Sequence, residues 1–245
     1  MPELGLLGKH ISYSFSKAHF TKKFKEEGLP YSYENFDIEN ILEFPLILKN
    51  NPDLVGLNVT IPYKEQIIPY LNSLSEQAKA IGAVNTVTIS SSGKLKGYNT
   101  DTFGFRASIE PFLKPQHKRA LILGTGGASK AVAYTLRELN IDFDYVSRKL
   151  NDLAKFTYSD LTESIINSHQ IIINCTPVGT YPNINECPDI PYEGISTDHL
   201  LYDLVYNPSK TKFLKQGEER GAAICNGLKM LELQAQKAWE IWSLQ

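Results

Sequence analysis

The sequence predicts an α/β protein in two units: an N-terminal α/β unit and a second, doubly wound unit around a parallel sheet. Three observations carry this expectation. Strand-like and helix-like segments alternate along all 245 residues,. Short apolar runs such as Ala120-Leu121-Ile122-Leu123 and Ile171-Ile172-Ile173 lie between helix-like stretches, as strands covered on both faces do,. A small-residue loop, residues 124–129, directly follows one of these strands and opens a helix,.

In the first unit, residues 4–8 read as a strand. Ser16 is placed to cap a helix in which Phe20 and Phe24 lie four apart, and Gly28 ends it,. Residues 31–36 form a second strand, and residues 37–50 look helical with an interruption at Pro45,. Leu54–Val59 is strand-like and runs into a loop over residues 60–64; residues 65–71 and 75–81 read as helices,. A hairpin pairs residues 85–90 with 94–98 around Ser91, Ser92 and Gly93,.

Residues 102–112 suit a connecting helix, and Pro115 with His117, Lys118 and Arg119 marks the start of the second unit,. There Arg119–Leu123, residues 143–146, Ile171–Asn174 and residues 200–204 read as strands, with residues 130–139 helical up to Asn140,. At the C-terminus Leu231, Ala235, Ala238 and Trp242 recur at helical spacing, so this tail must dock on a surface, expected on the first unit,. The domain reading is residues 1–101 completed by a helix over 228–245, with residues 102–227 as the second unit.

With 42% hydrophobic and 21% charged residues, the chain has the balance of a soluble globular protein,. A formal charge of −2 supplies no broad positive field, which argues against a nucleic-acid partner,. Cys175, Cys187 and Cys225 form no close-spaced pair, and His10, His19, His117, His169 and His199 are scattered, so neither a zinc site nor a disulfide framework is expected,. Residues 1–7 carry an early acid and no basic segment ahead of a long apolar run, and no stretch approaches a membrane span,. The expected location is cytoplasmic.

The loop Gly124-Thr125-Gly126-Gly127-Ala128-Ser129 reads either as a Rossmann-type cradle, where glycines let backbone N–H groups approach a pyrophosphate at a helix N-terminus, or as a tight strand-to-helix turn with no ligand,. Ser129 stands where the dinucleotide fingerprint has Gly or Ala. After the next strand the chain reads Ser147-Arg148-Lys149, and this basic pair suits the 2′-phosphate of NADP,. Asp142 and Asp144 keep NAD open, although both lie before the strand end. Two polar side chains follow strands in the first unit, Lys64 and Asp101; a lysine held by a carboxylate can protonate a developing alkoxide,.

Several segments recur together in the order and rough spacing of the shikimate dehydrogenases, a resemblance spanning essentially the whole chain. They are Ser12-Tyr13-Ser14-Phe15-Ser16, Asn58-Val59-Thr60-Ile61-Pro62-Tyr63-Lys64, Gly82-Ala83-Val84-Asn85-Thr86, Gly97-Tyr98-Asn99-Thr100-Asp101, the glycine loop, Tyr202-Asp203-Leu204-Val205-Tyr206 and Gly227-Leu228-Lys229-Met230-Leu231 through Gln234. The resemblance implies a catalytic pair of Lys64, as acid/base, and Asp101, orienting it and binding a substrate hydroxyl. It makes Ser14 and Ser16 carboxylate-binding serines, and Asn58, Thr60, Asn85, Tyr206 and Gln234 the remaining substrate contacts. On the cofactor side it implies Gly124, Gly126, Gly127, Ala128, Ser129, Ser147, Arg148, Lys149, Thr176, Leu204 and Gly227, with Cys175 a small packed residue rather than a nucleophile.

The implied activity is NADPH-dependent, reversible reduction of 3-dehydroshikimate to shikimate, a step toward chorismate and the aromatic amino acids. The implied site is a cleft between the units of a monomer or homodimer, with no metal. The rivals are an NAD-using relative that also accepts quinate, and a non-catalytic ligand sensor on the same scaffold. Departures from the family pattern are the short chain, the compressed stretch 149–167, the absence of a second Arg after Arg148, and Lys229 at a position usually small.

Overall fold

Two sheets organise the chain in a computed structural model that describes residues 1–11 and 14–244; Ser12, Tyr13 and Gln245 lie outside the described residues. Contacts divide the chain into two compact units, Met1–Thr100 with Ala235–Gln245, and Asp101–Gln234. No helix among the described residues is long and apolar enough to cross a membrane.

The first unit contains β1 (Glu3–Gly8), α1 (Phe15–Glu27), β2 (Ser32–Asp37), α2 (Phe44–Asn50), β3 (Leu54–Val59), β4 (Ser73–Leu74), α3 (Glu76–Ile81), β5 (Thr86–Ile89) and β6 (Leu95–Tyr98). They form one mixed sheet in the order β2-β1-β3-β5-β6-β4, with β1 parallel to both its neighbours and β5 antiparallel to β3 and β6. Alternation along β1 feeds two cores. Leu4 and Leu6 join Phe20, Phe24 and Tyr33 on one face, while Leu7 joins Phe44, Leu57, Val59 and Tyr63 on the other.

Local chemistry shifts several predicted boundaries. Ser14, not Ser16, caps α1, its hydroxyl accepting from the Lys17 amide, while Gly28 closes the helix at φ 63° as expected,. Pro45 does not interrupt a helix but starts one, in the first turn of α2, where its missing N–H costs nothing,. Residues 65–71 contain only the short turn Ile68–Tyr70, because Pro69 cannot donate in a helix interior,.

In the second unit α4 (Asp101–Ile109), β7 (Arg119–Leu123), α5 (Gly127–Glu138), β8 (Asp142–Ser147), β9 (Ala154–Thr157), α6 (Glu163–Asn167), β10 (Ile171–Asn174), β11 (Leu200–Asp203), α7 (Lys212–Glu218) and β12 (Ala223–Cys225) precede α8 (Leu228–Ser243). The sheet runs β12-β11-β10-β7-β8-β9 with every pair parallel. Strand order reverses between β7 and β10, and ligands of such sheets bind outside the strand C-termini at that switch point. The glycine loop leaves β7 there.

The end of α8 belongs to the first unit. Ala235, Ala238 and Trp242 pack with Leu4, Phe20 and Phe24, and the Trp242 indole N–H donates to the Val87 carbonyl at 3.0 Å. Gly56 makes room for it, since a Cβ there would lie 2.4 Å from the indole nitrogen. Trp242 is only 4% exposed. Trp242→Ala is therefore expected to cost about 3–5 kcal/mol, read as a lower urea midpoint in the fluorescence of Trp239, the remaining tryptophan.

Candidate active site

In the first unit the polar groups gather where β3 ends. Asn58 lies within β3, and Thr60 follows it, its amide bonded to the Leu7 carbonyl at 2.9 Å. The loop to Lys64 is pinned from both sides. Tyr63 is buried and its hydroxyl donates to the Ile38 carbonyl at 2.7 Å, while the Lys64 carbonyl accepts from the Val84 amide at 2.7 Å. Lys64 itself is half-buried, an amphipathic side chain on a fixed backbone,.

Asn58 is oriented by three partners. Its Oδ1 accepts from the Tyr33 hydroxyl at 2.8 Å, and its Nδ2 donates to the Asn85 carbonyl and Thr86 Oγ1, both at 3.3 Å. Asn85 in turn holds Thr100, accepting from its amide at 2.7 Å and donating to its hydroxyl at 3.1 Å. Thr100 leads directly into Asp101. Ser14 and Ser16 are both half-buried at the start of α1, with Ser14 engaged as the cap. A groove of about 800 Å³ along α1 includes Ser14, Lys17 and Asn35 but none of Asn58, Thr60 or Lys64.

In the second unit Asp101 begins α4 and is 1% exposed. Gln234 lies close to the same helix: a Cβ on Gly104 would sit 3.2 Å from the Gln234 Cβ and 2.4 Å from the Met230 carbonyl, so this glycine sets how near α4 and α8 approach. Tyr206, beyond β11, is partly exposed, and burial raises its phenol above the ordinary value.

The loop after β7 has the geometry of an anion cradle. Gly124 adopts φ 100°, a conformation that disfavours any side chain, and a Cβ there would meet Thr176 Cγ2 at 2.9 Å,. Gly126 is the N-cap of α5, whose N-terminus no side chain caps, and a Cβ on Gly126 would meet nothing within 4 Å. Gly127 and Ala128 form the first turn. Ser129 is fully buried, its hydroxyl donating to the Gly126 carbonyl at 2.7 Å, so it closes the turn rather than facing the space in front of it.

At the end of β8, Ser147 shapes the turn. Its hydroxyl donates to the Lys149 carbonyl and accepts from Asn151 Nδ2 at 3.3 Å, leaving Arg148 and Lys149 exposed. The two aspartates that could have received a ribose are placed otherwise. Asp142 starts β8, opposite Arg119. Asp144 binds Arg119, Lys155 and the 2%-exposed His169, each at 3.1 Å. Burial alone would raise the Asp144 carboxyl, but bonds from His169 and Lys155 bring it below its ordinary value.

Beside the cradle, Asn174 and Asp203 at the ends of β10 and β11 join two loops. Asn174 Oδ1 accepts from the Thr176 hydroxyl at 2.6 Å and amide at 3.0 Å, and its Nδ2 donates to Asp203 Oδ1 at 3.0 Å. Asp203 also accepts from the Val205 amide and the Thr211 hydroxyl, at 3.0 and 2.6 Å. Leu204 and Gly227 are brought together, since a Cβ on Gly227 would lie 2.1 Å from the Leu204 carbonyl. Burial holds the Cys175 thiol well above its usual range, which leaves it protonated. Among the described residues no group of three or more His, Cys, Asp or Glu is placed to hold a metal.

The family description "Shikimate dehydrogenase substrate binding domain" matches residues 6–87. An NADP(+) shikimate dehydrogenase of Clostridium botulinum is 39% identical to the chain, covering 98% of it and 96% of the relative. This chain belongs to the shikimate dehydrogenase family. A second NADP(+) shikimate dehydrogenase, from Methanosphaera stadtmanae, is 37% identical over 98% of the chain and 90% of its own length. The shikimate dehydrogenase of Thermus thermophilus, solved with NADP(H) and shikimate, superposes with a TM-score of 0.88 at 30% identity, over 100% of this chain and 94% of that one.

Tyr33, Tyr63, Thr86, Thr100, Asn174, Asp203 and Thr211 are among the polar residues at these sites to which sequence reasoning assigned no role. Thr86, Thr100 and Asp203 stand inside recognised segments and Asn174 ends a predicted strand, whereas Tyr33 belongs to no recognised segment. Asp203 is fully buried without a cationic partner among the described residues, and burial pushes its carboxyl from 3.8 up to about 6 against the opposing pull of its three donors. The folded state thus holds this proton more tightly than the unfolded one. The stability it contributes is full below about pH 4 and is lost as pH rises through about 6, a change of roughly 3 kcal/mol. Asp203→Asn is expected to remove that decline, seen as a flat dependence between pH 4 and 7 in urea unfolding followed by circular dichroism; an unaltered slope would assign it elsewhere.

Proposed function

We propose that this chain catalyses the NADPH-dependent, reversible reduction of 3-dehydroshikimate to shikimate, placing it in the route to chorismate and the aromatic amino acids. The observation that carries the reading is a glycine cradle at the switch point of an all-parallel sheet, in a chain 39% identical over almost its full length to an NADP(+) shikimate dehydrogenase.

The residues present fit NADP. The uncapped N-terminus of α5 offers amide donors and the positive end of the helix dipole to a pyrophosphate, and the space at Gly126 admits it,. Exposed Arg148 and Lys149 supply the charge a 2′-phosphate requires,. Asp144 does not oppose it, its carboxylate being compensated by three partners. Thr176, Leu204 and Gly227 border the nicotinamide end in this reading.

When bound, NADPH supplies a hydride to the ketone carbon. The chain's own residues do the rest. Ser14 and Ser16 hold the substrate carboxylate; Asn58, Thr60, Asn85, Tyr206 and Gln234 bind the ring substituents, their hydroxyl and amide groups matching a polyol. Lys64 gives a proton to the ketone oxygen as charge develops there, and Asp101 accepts a substrate hydroxyl hydrogen and orients the lysine. In the reverse direction Lys64 takes that proton back.

The test is oxidation of NADPH in the presence of 3-dehydroshikimate. Lys64→Ala is expected to lower turnover by roughly 10²–10⁴-fold while NADP⁺ binding, measured by titration, stays intact; unchanged turnover removes the lysine from the mechanism. Arg148→Ala is expected to raise KM for NADP⁺ by about 10–100-fold, the loss of a charged hydrogen bond, with KM for NAD⁺ little altered. Equal efficiency of the unaltered chain with NAD⁺ and quinate would favour the quinate-oxidising reading instead.

A further inference from the structure

We propose that Asp37 is a positioning residue for substrate recognition, its carboxylate fixing the turn after β1 that sets where the carboxylate-binding serines of α1 begin. The inference rests on the substrate roles given to Ser14 and Ser16 above. His10, two residues beyond β1, adopts φ 57°, a left-handed conformation that a residue with a side chain takes only rarely,. Such a turn persists when its surroundings hold it. Asp37, the last residue of β2, does so: its Oδ1 accepts from the His10 amide at 2.8 Å and its Oδ2 from the Ile11 amide at 3.0 Å. The nearby Lys9 ammonium pairs with Glu39 at 2.6 Å, which leaves the Asp37 carboxylate to the two amides.

The turn passes this constraint on to the site. The Ile11 carbonyl accepts from the Ser14 amide and from Asn35 Nδ2, both at 3.1 Å. Asn35 and Asp37 lie two apart in β2 and so share a face, from which they bind both the C=O and the N–H of Ile11,. Ser14 caps α1, so the first turn of that helix, with Ser16 in it, starts from a tethered residue. The same turn meets the substrate-binding Thr60. A Cβ on Gly8 would lie 2.5 Å from Thr60 Cγ2 and 2.6 Å from Ile11 Cγ2, and the Lys9 amide donates to the Ile61 carbonyl at 3.3 Å. Asp37 is exposed on an edge strand, where a carboxylate adds little to the core. Its two bonds serve the turn, and through it the spacing of the serines from Thr60.

Asp37→Asn keeps the shape of the side chain but sets an NH₂ group against one of the two amides, donor facing donor. It is expected to raise KM for shikimate roughly ten-fold, about the worth of one hydrogen bond to a charged group, with kcat within about three-fold and KM for NADP⁺ unchanged. A purely structural role would instead lower the urea midpoint and leave the KM for shikimate alone, which would overturn the proposal. Introduced into a Ser14→Ala/Ser16→Ala background, Asp37→Asn is expected to change that KM by less than about two-fold, because the turn then has no serine hydroxyls left to place; a full ten-fold effect there would also overturn it. The background itself separates the two levels. If the paired serine variant raises KM for shikimate and Asp37→Asn does not, only the clamp is wrong; if neither does, the substrate assignments of the serines fall and the clamp with them.

Discussion

Buried polar side chains at the end of β3 must satisfy one another before they can bind anything else. Asn85, Thr86 and Thr100 are each less than 5% exposed, and a donor or acceptor left unpaired there would cost about 1–3 kcal/mol,. Their solution is a closed set of hydrogen bonds running from Tyr33 through Asn58 and Asn85 to Thr100. Because each member fixes the next, the strand ends cannot shift without stranding a polar atom. The Thr60–Lys64 loop is held by the same logic, through backbone bonds to β1 and Val84 and the anchored hydroxyl of Tyr63.

The second unit meets the opposite demand, since a cradle for a pyrophosphate needs emptiness in the right places. Gly124 bends the chain away from β7, Gly126 leaves space in front of α5, and Gly227 lets Leu204 approach within a distance no side chain would allow. Asp203 then braces the loops on either side with three neutral donors. A carboxylate treated this way is costly to keep ionised, which marks it as serving geometry.

Much of this was legible in the sequence because it rests on local chemistry. Leu54–Val59, Arg119–Leu123 and Ile171–Asn174 were read residue for residue, since apolar runs bounded by turn residues have few alternatives,. Gly28 and the glycine loop announced their turns directly. What escaped was either short or non-local. β9, α6, α7 and β12 are three to seven residues long, too brief for a period to show. The cap of α1 fell to Ser14 because two serines compete there and the backbone decides. Tyr33 is 25 residues from Asn58, and only the parallel packing of β2 and β3 on either side of β1 brings them together. The fate of Asp144 was hidden likewise, two of its partners coming from β9 and the segment before β10.

That aspartate bears on how dinucleotide preference could change within such a chain. Its negative charge is already committed to Arg119, Lys155 and His169. Stripping away the exposed basic pair after Ser147 would weaken the grip on a phosphorylated ribose without creating a grip on an unphosphorylated one. A switch of coenzyme would need a fresh acid installed at the tip of β8, so the two preferences are separated by more than one substitution.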